Sequence, residues 1–221
     1  MTEEQWTTVD EHLSALLVSE DEALQNALKT SEQAGLPPIQ VSPVQGKLLN
    51  LLSRSIKARR ILEIGTLGAY STIWLARALE AGGRLITLEF EPLHAKVAKA
   101  NIRNAGLESI VELRVGSALD LLPVLASEEG GPFDLIFIDA DKVNTPAYFQ
   151  WSLELSRPGT IIIVDNVVRR GAIADPSSAD PAVQAMQRFL AMLAAEPRVS
   201  ATALQMVGAK GYDGFALALV L

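Results

Sequence analysis

From Arg60 onward the chain alternates short apolar runs with longer stretches whose apolar residues recur at helical spacing. Arg60–Ile64, Arg84–Glu89, Ile110–Val115, Leu135–Asp139 and Thr160–Asp165 are short and mostly apolar, so they read as consecutive buried strands. Strands alternating with helices make βαβ units, which predicts a mostly parallel sheet. Asp180-Pro181 then opens an amphipathic helix with Val183, Met186, Phe189, Leu190 and Leu193 on one side. Two last β-rich runs, Val199–Val207 and Phe215–Leu221, predict an antiparallel hairpin, with Tyr212-Asp213-Gly214 as its turn. Before Arg60 the pattern is helical. Ser42 is placed to cap a helix, with Pro43 at its first position and Gln45 closing a capping box. The expectation is one α/β domain over residues 1–221, an α/β core at 59–221 under an N-terminal helical cover at 1–58.

Two of the apolar runs end in acid, and this turns a fold pattern into a candidate site. In open parallel sheets ligands bind outside the carboxyl ends of the strands, where these runs deliver Asp139, Lys142, Asp165 and Asn166. Two carboxylates and an amide oxygen suit Mg²⁺, with Mn²⁺ or Ca²⁺ possible, and Mg²⁺ would keep positions open for the two oxygens of a vicinal diol. Lys142, three residues past Asp139, is a candidate proton acceptor. Taken singly, the same residues read as turn chemistry and an exposed ion pair.

The other strand ends suggest a nucleoside. Gly65-Thr66-Leu67-Gly68 follows the first strand, and its G-x-x-G spacing lacks the middle glycine that makes room for a pyrophosphate. Glu89 ends the second strand 24 positions beyond Gly65, where a carboxylate can accept from both ribose hydroxyls. Ser117 and Ala118, after the third strand, are placed to lie along an adenine edge. The plainer alternative is a tight turn at Gly65 and helix-start chemistry at Glu89.

Composition narrows the partners. A net charge of -7 and a pI near 4.9 disfavour nucleic acid and anionic membranes. The chain has no cysteine and two histidines, His12 and His94, both in polar helical surroundings that predict exposure. No segment reaches ~18 uninterrupted apolar residues and the start lacks a leader pattern, so a soluble cytoplasmic protein is expected. Trp74, Phe149 and Trp151 fall on apolar helix faces and read as core, while Trp6 is a candidate for a lid or dimer contact.

On these motifs the chain, from about Gln40 to its end, resembles the cation-dependent O-methyltransferases of the catechol and caffeoyl-CoA type, especially their small bacterial members. The resemblance implies a Rossmann-like class I methyltransferase fold, with a seven-stranded sheet and helices on both faces. It implies that Leu62 to Ser71, including Glu63, Gly65, Thr66 and Ser71, bind S-adenosylmethionine together with Val41, Glu89, Ser117, Ala118 and Asp139. Asp139, Asp165 and Asn166 would be the metal ligands, Lys142 the base, a phenolic small molecule the acceptor, and a homodimer the assembly. Two departures stand out. Ala69 replaces a common glycine, which is tolerable unless the position needs a positive φ. After Asp165-Asn166, where relatives often carry an aromatic, the chain has Val167-Val168-Arg169-Arg170, whose two arginines read as a solvated pair or as a contact to an acidic acceptor. Alternatives are a hydroxylated tRNA nucleoside as acceptor, or a protein that binds the cofactor without catalysis.

Overall fold

A computed structural model describes residues 2–128 and 131–221. Five parallel strands, β1 (Arg60–Ile64), β2 (Arg84–Glu89), β3 (Val111–Val115), β4 (Leu135–Ile138) and β5 (Ile161–Asp165), lie in the order β3-β2-β1-β4-β5. The antiparallel pair β6 (Val199–Gly208) and β7 (Gly211–Val220) extends this to seven strands, with β7 against β5. The order turns back between β1 and β4, so their carboxyl ends flank a switch point, the position at which such sheets bind ligands.

Alternation along the strands divides the core. Leu62, Ile64, Ile136 and Ile138 face one layer, where α6 (Ala118–Ser127), α7 (Thr145–Glu154) and α8 (Pro181–Ala195) pack and Phe149 meets Phe189 edge to face at 5.3 Å. Ile61, Phe137 and Ile163 face the other layer with α2 (Glu22–Gln33), α3 (Pro43–Ser55), α4 (Tyr70–Ala76) and α5 (Pro92–Asn104). The first helix, α1 (Glu3–Leu17), is capped by Thr2 and docks on the hairpin through Asp10, whose carboxylate accepts from Ala209 N at 3.0 Å. Trp74 and Phe149 are core residues as expected, and Trp151 is packed at the edge of the same core.

Two local expectations fail for physical reasons, and one condition left open by the sequence is met. The hairpin turns at Ala209 and Lys210, so Tyr212-Asp213-Gly214 lies within β7 and not in the turn. Gln45 contributes its backbone N–H to Ser42 Oγ at 3.3 Å, but its side chain leaves the cap for Asp165. Ala69 does need a positive φ, adopting 67°, and Leu67 beside it adopts 50°. Such backbone persists only where the surroundings over-determine it.

Candidate functional site

The first βα loop is shaped by what lies beneath and behind it. Gly65, at φ 98°, passes so close to the end of β4 that a Cβ there would sit 2.1 Å from the Asp139 carbonyl oxygen. Only glycine allows that approach. The left-handed turn beyond it aims two amides at one acceptor, with Thr66 N and Leu67 N donating to Glu89 Oε2 at 3.1 and 2.8 Å. Glu91 N donates to Oε1 at 2.9 Å. A carboxylate offers about four lone-pair positions, three of which these amides occupy, and Glu89 still lines the cavity where the ribose was expected. His94 is not exposed on a polar face: its Nδ1 stands 3.5 Å from Glu89 Oε1 and its ring is largely covered.

Glu63 does not face the ligand side. Alternation turns it into the α4 layer, where it is fully buried and accepts from Ser71, Thr72 and Thr87 hydroxyls at 2.6, 2.5 and 2.7 Å. Burial pushes its carboxyl up to about 7, against the pull of these three hydroxyls, with a smaller push from the Asp139 charge. The Glu63 carboxylate thus tethers the start of α4, and so the loop above, to the sheet.

Across the switch point, Lys142 Nζ lies 2.8 Å from Asp139 Oδ1, both side chains mostly shielded from solvent. Asp165, buried at the end of β5, accepts from Gln45 Nε2 at 2.8 Å and from Asn166 N at 2.9 Å. Burial pushes the Asp165 carboxyl up to about 7; the Asp139 charge adds to this and Lys142 opposes it. Asn166 takes a left-handed φ of 59°, which Asn tolerates better than most residues. Beyond it the chain enters a short 3₁₀ segment, Arg169–Ala174, with Arg169 and Arg170 also left-handed at 53° and 54°. Asp213 on β7 braces the start of this segment: its Oδ1 accepts from Val168 N, Arg169 N and Gly214 N at 2.9, 3.0 and 2.9 Å.

A cavity of 670 Å³ opens along the strand ends and gathers Val41, Gly65, Thr66, Ser71, Glu89, Ser117, Ala118, Asp139, Lys142, Asn166 and Arg169. Glu63 lies beneath it. Asp165 and Arg170 line a second cavity of 140 Å³, under α1 and the hairpin, which shares Asn166 with the first. The large cavity also contains Phe90 and Tyr148, which the sequence did not single out, and His94, which it expected to be exposed. Tyr148 donates to Asp141 Oδ2 at 2.5 Å, and burial followed by that carboxylate raises its hydroxyl above the ordinary range. Among the described residues no three His, Cys, Asp or Glu side chains cluster to hold a metal. The Asp139, Asp165 and Asn166 set has two acids and an amide. No described helix is long and apolar enough to cross a membrane.

Known proteins resemble this chain in sequence and fold. The O-methyltransferase family model matches residues 12–219. A catechol O-methyltransferase of Niastella koreensis is 56% identical over 220 residues, covering 100% of both chains. The structure of an O-methyltransferase from Bacillus cereus in complex with SAH superposes with a TM-score of 0.98 at 56% identity, covering 100% of both chains. That of TomG from Streptomyces achromogenes, involved in tomaymycin synthesis and in complex with SAM, gives 0.96 at 53% identity over 100% of this chain and 99% of that one. With a family match spanning both the glycine loop and the strand ends that hold Asp139 and Lys142, the chain belongs to the O-methyltransferase family.

Proposed function

We propose that the protein transfers the methyl group of S-adenosylmethionine to one hydroxyl of a catechol-type small molecule, with a divalent cation such as Mg²⁺ at Asp139, Asp165 and Asn166. The observation that carries this reading is the single cavity in which a phosphate-free glycine loop meets the Asp139–Lys142 pair across the switch point. The catechol O-methyltransferase from Niastella koreensis and the SAH and SAM complexes of the two structural relatives support it.

The residues present fit a cation. Asp139 and Asp165 repel one another strongly enough to hinder the ionisation of Asp165, and no described residue hydrogen-bonds the Asn166 side chain. Hard oxygen donors with surplus negative charge are what such an ion requires. When bound, the cation would hold both oxygens of a diol and favour the phenolate over the phenol.

The protein's own groups would do the rest. Glu89 takes one ribose hydroxyl at its remaining acceptor position, and Ser117 and Ala118 border the base. Gly65, Thr66, Ser71 and Val41 surround the methionine portion. Lys142 Nζ, in its neutral form, accepts the acceptor's hydroxyl proton; the oxygen then attacks the methyl carbon in line, the S–C bond breaks, and its electron pair stays on sulfur. Charge is neutralised as the bond forms, so holding the reactants at about 3 Å in line is the larger part of catalysis.

The test is direct. Purified protein given S-adenosylmethionine, Mg²⁺ and a panel of catechols is expected to release S-adenosylhomocysteine and a mono-methyl ether, both read by mass spectrometry. Release with none of the panel would refute the reading.

A further inference from the structure

We propose that Arg169 determines acceptor specificity and selects catechols that carry a carboxylate. The inference rests on the methyl-transfer reading and deepens it.

Three observations converge on this residue. Its Nε is buried without a hydrogen-bond partner, and its guanidinium forms no ion pair among the described residues. Lys142, by contrast, is already paired with Asp139 in the same cavity. A guanidinium kept partly from water without a counter-charge is costly unless a ligand supplies one, and its planar fork matches a carboxylate. Secondly, the backbone there is deliberately held: Asp213 accepts the N–H groups of Val168 and Arg169, keeping Arg169 in a left-handed conformation that a long side chain rarely takes. Gly214 beside Asp213 leaves no room for a side chain, because a Cβ at that position would lie 2.2 Å from the Leu204 carbonyl oxygen and 2.7 Å from Val168 Cγ2. Strain of this sort, held by a half-buried carboxylate, is what a side chain positioned for a ligand requires.

The third observation is placement. The groups suited to the nucleoside sit at the ends of β2 and β3, and Asp139 ends β4. Arg169 follows β5, three strands from β2, or roughly 14 Å along the sheet edge at about 4.8 Å per strand. It therefore lies beyond the point of methyl transfer, on the acceptor's side of Asp139 and Lys142. Arg170 lies outside this cavity, so the two adjacent arginines do different things.

A carboxylate could also come from the methionine portion of the cofactor, and the experiment separates the two sources. Wild type, Arg169→Gln and Arg170→Gln are compared on 3,4-dihydroxybenzoate and on 4-methylcatechol. For Arg169→Gln, kcat/KM on the acid should fall about 10- to 100-fold, as for loss of a charge-assisted pair, with less than about 3-fold change on the neutral catechol. Arg170→Gln should alter both alike. Equilibrium binding of the two catechols in the presence of S-adenosylhomocysteine and Mg²⁺ gives a readout independent of turnover, and the same selective loss is expected there. For Arg169→Gln, equal losses on both catechols, or weaker S-adenosylmethionine binding with the acceptor ratio unchanged, would overturn the proposal. Selective binding of the acid by an inactive wild type would uphold Arg169 while refuting methyl transfer.

Discussion

Replacing Glu63 by glutamine makes the cost of a buried acid visible as a pH dependence. The native carboxyl titrates near 7, against 4.5 when exposed, because burial outweighs the hydroxyls of Ser71, Thr72 and Thr87. Between those values the folded chain holds a proton that the unfolded chain has lost. Stability must therefore fall as pH rises, by about 1.4 kcal/mol per unit, and the loss is complete once pH passes 7. Over that window the total is roughly 3 kcal/mol. Glutamine does not titrate, is close in size, and can still accept from Thr72 and Thr87 through its one oxygen while its NH2 donates to Ser71 Oγ. Urea denaturation of both proteins at steps from about pH 4.5 to 8, followed by tryptophan fluorescence, to which buried Trp74 contributes, gives the difference in stability at each pH. Contributions of titrating groups that do not interact with Glu63 cancel in that difference, leaving only the smaller coupling to Asp139. The variant should gain on the wild type by roughly 3 kcal/mol across the window, or about 6–12 °C in Tm for a chain of this size. A difference flat to within about 0.5 kcal/mol, or one that shrinks as pH rises, would refute the reasoning.

Lys142→Ala should lower kcat by about 10²- to 10⁴-fold while S-adenosylmethionine binding measured by calorimetry stays within a few-fold; unchanged turnover would remove Lys142 as base. Gln45→Ala frees Asp165 from its side-chain tether and should weaken Mn²⁺ binding about 10- to 100-fold, read by electron paramagnetic resonance. Asp213→Ala leaves the N–H groups of Val168, Arg169 and Gly214 without their acceptor and should cost about 2–3 kcal/mol in urea denaturation.

The fold was legible because the buried strands carry near-continuous apolar runs: β1 and β2 have the boundaries expected, and β3, β4 and β5 differ by one residue at an end. The hairpin was misjudged because Tyr212-Asp213-Gly214 has turn composition, yet Asp213 is spent on amides of a distant loop. Residues at strand ends were found because topology alone carries them to one edge. Glu63 was assigned to the ligand side along with its motif, although alternation from Ile61 and Phe137 puts it in the α4 layer. Gln45 and His94 could not be read, since their partners Asp165 and Glu89 are set by tertiary approach and not by spacing.

The contact at Gly65 has a consequence for how such an enzyme can diversify. Because the loop backbone rests against the Asp139 carbonyl, any change that reshapes the cofactor half would also displace the base side, and both would have to be re-solved together. Arg169 hangs instead from a hairpin clamp at the far end of the sheet, reached through one carboxylate. New acceptors can be tried there, one side chain at a time, without disturbing the machinery that moves the methyl group.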